Sequence, residues 1–109
     1  EKRKKITKKI LTKQIKNGLR NINTKKNIII AYEPVWAIGT GLIPKIKDLF
    51  LTIAFIKKKM KKVKILYGGS VNPKNIQQLK IIDNLDGFLV GGASQDSKKF
   101  IDIIKKTYN

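Results

Sequence analysis

The chain has 109 residues, no cysteine, no histidine, and a formal net charge of +18 from 25 basic and 7 acidic residues. It can therefore form neither a disulfide framework nor a thiolate or imidazole metal site, and it cannot use imidazole catalysis. Its apolar runs are shorter than the roughly 20 residues that cross a bilayer. These features predict one small, soluble, intracellular domain.

The excess of positive charge raises the hypothesis of nucleic-acid binding, because phosphate backbones attract lysine-rich proteins. All but two of the basic residues are lysine, however, whereas base recognition and stacking favour the planar guanidinium of arginine. We interpret the lysines mainly as a solvated outer surface. A basic nucleic-acid-binding module stays open as the least favoured alternative.

Hydrophobic spacing predicts that helices and strands alternate along the chain. The first helix carries apolar residues from Ile6 to Leu19, and the β-branched run at 27–32 predicts a strand buried on both faces. An amphipathic helix is predicted for residues 45–61, and Pro44 stands near its first turn. The chain thus begins as helix, strand, helix.

The second half continues the same alternation. "VKILYGG" predicts a second strand, and Asn72 and Pro73 predict the cap and first turn of a short helix that ends near Lys80. "DGFLVGG" predicts a third strand, and a last helix follows at 96–108. This order is typical of parallel strands joined by right-handed crossovers, which predicts an α/β sheet or barrel.

Each predicted strand ends in a distinctive loop, "EPVWAIGTG", "GGSVN" or "GGAS". Ligands of parallel α/β folds bind at this carboxyl edge. Two of the loops contain a Gly-Gly pair that leads into a serine and a helix, and the backbone N–H groups of such loops suit a phosphate. One Gly pair alone more often makes only a tight turn, so the prediction depends on both loops together with the isolated Glu33.

The segments "AYEPVWAIGTG", "YGGSV" and "DGFLVGGAS" resemble, in order and spacing, three signature segments of the C-terminal portion of the triosephosphate isomerase family. The resemblance covers essentially the whole chain. It implies that residues 1–109 form a single partial domain, incomplete at the N-terminus. That domain would comprise about three β/α units, strands 6 to 8, of a TIM (β/α)8 barrel.

The family resemblance also implies a reaction. Dihydroxyacetone phosphate and D-glyceraldehyde 3-phosphate would be interconverted through an enediolate, in glycolysis and gluconeogenesis, without cofactor or metal. A complete enzyme of this family is expected to be a cytoplasmic homodimer that binds neither nucleic acid nor membrane. The partners of this chain would be the triose phosphate substrate and the missing N-terminal part of the barrel.

The same resemblance implies roles for individual residues. Glu33 would be the base that moves a proton between the two carbons, and it needs shielding from water to be basic enough. The backbones of Gly39, Ser70, Gly91 and Gly92 would bind the substrate phosphate. The lid that closes over substrate, and the residues that close it, would be Pro34, Val35, Trp36, Ala37, Ile38, Thr40, Gly41, Tyr67 and Leu89.

Within that set, Ile38 and Leu89 would press on the two sides of the Glu33 carboxylate, and Tyr67 and Ser70 would hold the closed lid by hydrogen bonds. The chain departs from the family pattern in the short hinge, Leu42 and Ile43, that precedes Pro44.

The larger departure is that the family's lysine and histidine electrophile, which belong to its N-terminal part, have no counterpart here. The chain alone is therefore expected to be inactive. An alternative is the phosphate-binding half-barrel of another (β/α)8 enzyme, which the Gly-Gly loops alone would allow. The isolated Glu33 within its lid favours the isomerase.

Overall fold

The computed structural model describes residues 2–22 and 27–109, with side chains for 5–22, 27–35 and 37–109. One helix is followed by three strand-helix units, in the predicted order. The helices are α1 (Lys2–Gly18), α2 (Ile46–Lys59), α3 (Ile76–Leu79) and α4 (Ser97–Tyr108), and the strands are β1 (Ile29–Tyr32), β2 (Lys64–Tyr67) and β3 (Gly87–Phe88). Short 3-10 turns at Val35–Ala37 and Gly92–Gln95 follow β1 and β3.

The three strands form one parallel sheet in the order β1-β2-β3. Ile29 lies opposite Lys64 and Tyr32 lies opposite Tyr67, so β1 and β2 end at the same level. Within residues 2–22 and 27–109, β1 pairs only with β2, and β3 pairs only with β2. The sheet is therefore open at both edges.

The helices cover one face of this sheet. Alternate strand residues, among them Ile65 and Tyr67, point into a core to which all four helices contribute. The buried core residues are Leu11, Leu49, Ile53, Ile56, Ile65, Tyr67, Val71, Ile76, Leu79, Ile82 and Ile103. Leu49, Ile53 and Ile56 recur at helical spacing along α2, which fixes the buried stripe of that helix.

The opposite face of the sheet is open. Ile29, Ala31 and Glu33 alternate with the core-facing residues of β1, and all three are exposed, Ile29 to 61%. The prediction that this strand is buried on both faces is therefore wrong for the described chain. Its β-branched sequence suits burial on both faces, but in this structure only the helical face is covered.

Asp86 joins the start of β3 to β2 and α2. Its backbone N–H donates to the Ile65 carbonyl (2.8 Å), and its carboxylate accepts from the Ile65 N–H (2.8 Å) and from Lys57 Nζ (2.7 Å). Burial raises the pKa of Asp86, but these donors and the Lys57 charge outweigh it, so the pKa is lowered overall. One side chain thus ties three segments together at the amino ends of the strands.

Elements α3 and β3 differ most from their predicted lengths. Asn72 was predicted to cap α3, and its Oδ1 accepts from the N–H groups of Lys74 (2.9 Å) and Asn75 (3.0 Å). These bonds close a turn at residues 73–75, whereas α3 begins only at Ile76 and its N-cap residue is Asn75. Strand β3 ends at Phe88, and the 3-10 turn Gly92–Gln95 follows within four residues. Within the described ranges, no helix combines the length and hydrophobicity of a membrane span.

Candidate functional site

The loops that follow the three strands meet at one edge of the sheet. Glu33 directly follows β1, and residues 68–70 and 89–92 follow β2 and β3. The strand hydrogen bonding continues into these loops, because Gly68 N donates to Tyr32 O and Leu89 N donates to Tyr67 O, both at 2.9 Å. The parallel strands therefore bring the predicted base and both Gly-Gly loops to the same end of the sheet.

Glu33 packs directly against Gly68. A Cβ atom placed on Gly68 would lie 2.7 Å from Glu33 Cγ and 2.8 Å from Glu33 Oε1, closer than real side-chain contacts come. A side chain at position 68 would therefore move the Glu33 carboxylate from its present position. The first glycine of "GGSV" leaves the space that the Glu33 side chain occupies.

The segment 34–41, the predicted lid, is docked on Ser70. Ser70 Oγ donates to Ala37 O (2.5 Å) and accepts from Gly41 N (2.8 Å), so one hydroxyl holds two points of the segment. Thr40 Oγ1 also donates to Ala37 O (3.1 Å) and accepts from Leu42 N (3.1 Å). Ala37 is fully buried, and the segment lies against the loop that follows β2.

The path of this segment depends on its glycines. Gly39 and Gly41 have φ values of 71° and 78°, in the left-handed region that side chains rarely adopt. Between Pro34 and Gly39 the chain makes the 3-10 turn Val35–Ala37. The side chain of Trp36, predicted as part of the lid, lies outside the described residues, and Val35 is 84% exposed.

Asn75, a residue that our sequence analysis missed, positions Ser70. Its Nδ2 donates to Ser70 O (2.7 Å), and its Oδ1 accepts from Asn72 N (2.9 Å). Asn75 is 8% exposed, so both bonds lie in a protected environment. The available signal was a second asparagine three residues after the cap Asn72, within "SVNPKN".

The loop after β3 is open on its outer side. Cβ atoms placed on Gly91 and Gly92 would meet nothing within 4 Å in the described structure. Ser94, also missed, donates to Gly91 O from its backbone N–H (2.9 Å) and its hydroxyl (2.6 Å) and fixes the turn. The space beside these glycines is large enough for a ligand group to approach the backbone.

Within the described residues, Glu33 does not have the predicted shielding. Glu33 is exposed, and Ile38 and Leu89, predicted to enclose its carboxylate, are 52% and 45% exposed. The reason is structural, because Glu33 follows the alternation of Ile29 and Ala31 on the face of the sheet that no helix covers. Shielding would require further strands on that face.

Tyr67 does not make the predicted hydrogen bond to the lid. Its side chain is fully buried, and its hydroxyl has no hydrogen-bond partner in the described part of the chain. The hydroxyl lies over Gly69, where a Cβ atom would overlap it. Burial, with a smaller contribution from the neighbouring Tyr32, raises the pKa of Tyr67 to about 12.

Comparison with known proteins identifies the family. The family model described as "Triosephosphate isomerase" matches residues 1–107. The chain is 48% identical over 107 residues to the triosephosphate isomerase of Thermodesulfovibrio yellowstonii and 44% identical over 100 residues to that of Mycoplasma mobile. Both alignments cover 91% of this chain but only 44% and 41% of those relatives.

The fold agrees with this match. The crystal structure of triosephosphate isomerase from Bartonella henselae superposes with a TM-score of 0.79 at 35% identity, and the match covers 94% of this chain and 43% of that one. The predicted fold class is confirmed, since the three-stranded parallel sheet with its helices is part of a TIM barrel. The chain spans less than half the length of the relatives it matches, and it belongs to the triosephosphate isomerase family.

Proposed function

We propose that this chain supplies the base, the lid and the phosphate loops of a triose-phosphate isomerase. The observation that carries the proposal is the position of Glu33, which ends β1, packs on Gly68, and adjoins a lid held by Ser70. A generic phosphate-binding barrel requires the Gly-Gly loops but not a carboxylate within a lid. The family match further disfavours both that alternative and a nucleic-acid-binding module.

In this proposal the Glu33 carboxylate removes a proton from the substrate carbon next to the carbonyl. The C–H bond breaks, an O–H bond forms on Glu33, and the electron pair moves into an enediolate. A proton then passes between the two oxygens of the enediolate, a transfer that we assign to the electrophilic group of the missing part. Glu33 returns its proton to the neighbouring carbon, which exchanges ketose for aldose with no net change in atoms or electrons. This chemistry needs neither cofactor nor metal.

The phosphate of the substrate is proposed to bind the backbones of Gly39, Ser70, Gly91 and Gly92. Support comes from the open space beside Gly91 and Gly92 and from the hydrogen bond that joins Ser70 to Gly41 in the lid. A lid docked on the same loop as the phosphate would exclude water from the enediolate. Pro34, Val35, Trp36, Ala37, Ile38 and Thr40 complete the proposed lid, and Leu89 is proposed as a closing contact.

The rest of the barrel is proposed to come from residues outside this chain. A cavity of about 390 Å³ between α1 and β1, lined by Leu11, Ile15, Ile30 and Glu33 among others, lies beside the unpaired edge of β1. A neighbouring strand in this place would pair that edge and shield Glu33. We therefore propose one incomplete domain whose complete form is a cytoplasmic homodimer, with the electrophilic lysine and histidine supplied by the missing part.

The test is complementation. We would mix this chain with the N-terminal part of the Thermodesulfovibrio yellowstonii enzyme that it does not cover, verify the complex by light scattering, and assay isomerisation. Activity is expected only after mixing. Glu33→Gln is expected to lower kcat by at least about 100-fold, because an amide cannot accept the proton.

Asp83→Asn is the matched control, since it makes the same change of charge at an exposed position outside the site. It should leave kcat unchanged within about twofold. Glu33→Gln complexes that keep more than about a tenth of the activity would exclude Glu33 as the base. Full activity of the chain alone would contradict the proposal that residues outside it are required.

A further inference from the structure

A groove runs between α1 and α2 on the outer side of the molecule, away from the face that carries Glu33. This α1–α2 groove has a volume of about 820 Å³. Its floor includes Leu51 and Phe55 of α2, and its rim includes Lys8, Lys16, Lys58 and Lys59. Leu51 is 42% exposed, so apolar surface in the groove faces water.

Two rim lysines from different helices converge on one ring of the floor. Lys8 Nζ lies 5.5 Å and Lys59 Nζ lies 5.3 Å from the centroid of the Phe55 ring. Each ammonium gains a cation–π interaction with the ring, and together they place two positive charges around Phe55. An anionic group beside them would compensate this charge.

No carboxylate of the described residues does so. The ion pairs that the structure contains, Lys57–Asp86 and Lys106–Asp102, do not involve the rim of the α1–α2 groove. Residues 5–18 of α1 contain no acidic side chain, and the acidic residue of α2, Asp48, lies in its first turn. The groove thus combines an exposed apolar floor with a rim of uncompensated positive charge.

We propose that the α1–α2 groove binds an acidic amphipathic helix of a partner protein. Carboxylates of that helix would lie beside Lys8, Lys59 and the other rim lysines, while its apolar side chains would cover Leu51 and Phe55. Lys8 and Lys16 are separated by about 12 Å along α1, so the contact spans roughly two to three turns of the bound helix.

Other occupants match these features less well. A second copy of the chain would bring another +18 of charge against the same lysines. Nucleic acid offers phosphates but little apolar surface for Leu51 and Phe55, and a membrane surface is flat where the groove is concave. An acidic helix matches the charge, the apolar floor and the concave shape together.

The experiment measures fluorescence anisotropy of a labelled peptide of about four helical turns, with leucine at i, i+3, i+4 and i+7 and glutamate on its other face. The 109-residue chain is titrated into the peptide at low and at physiological salt. We expect saturable binding, and we expect Lys8→Glu/Lys59→Glu to weaken it roughly tenfold or more. Leu51→Ser should also weaken it, because it removes apolar contact in the floor.

The matched control is Lys98→Glu/Lys99→Glu on α4, which makes the same change of charge at exposed positions outside the groove. It should weaken binding by no more than about threefold, through the long-range field alone. Circular dichroism checks that each variant keeps its helix content. The neutral pair Lys8→Gln/Lys59→Gln, once its fold is verified in this way, should weaken peptide binding by an intermediate amount.

Several results would overturn the proposal. Equal weakening by the groove and α4 variants would mean non-specific electrostatic attraction. Equal binding of a peptide in which lysine replaces glutamate would mean that the rim lysines do not recognise carboxylates. Unchanged binding by Leu51→Ser would remove the apolar floor from the interaction. Tighter binding of a short DNA duplex or of phosphatidylglycerol vesicles, lost in Lys8→Glu/Lys59→Glu, would assign the groove to a different partner.

Discussion

Replacing Tyr67 by phenylalanine is expected to stabilise the chain. The Tyr67 hydroxyl is buried and has no partner among the described residues, and a buried unsatisfied hydroxyl costs about 1–3 kcal/mol. Phenylalanine keeps the ring and its packing in the core while it removes the unpaired oxygen. We therefore expect Tyr67→Phe to raise the free energy of unfolding by about 1 kcal/mol at pH 7.

Unfolding at alkaline pH gives a second, independent value for the effect of the Tyr67 hydroxyl on stability. The pKa of Tyr67 is raised from 10.0 to about 12 in the folded chain, so the unfolded chain loses this proton first as the pH rises. The stability that the neutral phenol provides is fully present below pH 10 and is lost between about pH 10 and pH 12. A shift of this size corresponds to at most about 3 kcal/mol.

The assay is urea unfolding followed by circular dichroism at pH 7 and at steps up to pH 12. The difference in stability between Tyr67→Phe and the unsubstituted chain should grow as the pH rises through this range. Tyr108→Phe, at a side chain that is 85% exposed, is the control and should change nothing. A Tyr67→Phe chain that is less stable at pH 7, or that loses stability in parallel with the unsubstituted chain, would refute the reasoning.

Three further substitutions test the site and its support. Gly92→Val should fold normally, because its Cβ meets nothing within 4 Å, but it should weaken binding of a phosphorylated transition-state mimic to the complemented enzyme; unchanged affinity by calorimetry would make this loop only a turn. Gly68→Ala should lower kcat of the same complex without loss of structure, since the new methyl group displaces the Glu33 carboxylate; an unchanged kcat would show that the carboxylate tolerates the shift. Asp86→Ala should lower the free energy of unfolding at pH 7 by about 1 kcal/mol. That difference should vanish as the pH falls through the lowered pKa of Asp86, below 3.8, and a difference that persists in acid would exclude the carboxylate as its source.

The parts that the sequence predicted well are local. The order of helices and strands follows from periodicity within each segment, and Gly39 and Gly41 are the residue type that their positive φ angles require. The side-chain bonds of Asn72 involve residues within three positions of it. All the residues that determine these local features lie close together in the sequence, so the sequence is enough to predict them.

The parts that the sequence did not predict depend on residues far apart in the chain. Ser70 bonds to Ala37 across 33 positions; the family resemblance predicted that Ser70 would hold the lid, but no periodicity in the sequence signals the pair. The unpaired hydroxyl of Tyr67 and the exposure of Glu33 depend on what surrounds them in space. The family resemblance located these residues, but it described a closed barrel, and so it predicted shielding that an open sheet does not provide.

The ladder between β2 and β3 is only two residues long, which leaves many ways for the two strands to slide past each other. Asp86 restricts that choice, because its backbone and its carboxylate both bond to Ile65, and Lys57 bonds to the same carboxylate. A slip of one residue would break all of these bonds and would move the loop at Gly91 by about 3.3 Å along the strand. Asp86, an exposed residue at the opposite end of the sheet, therefore fixes how the two Gly-Gly loops are aligned. Loss of Asp86 should make the candidate phosphate site less ordered, although Asp86 lies outside that site.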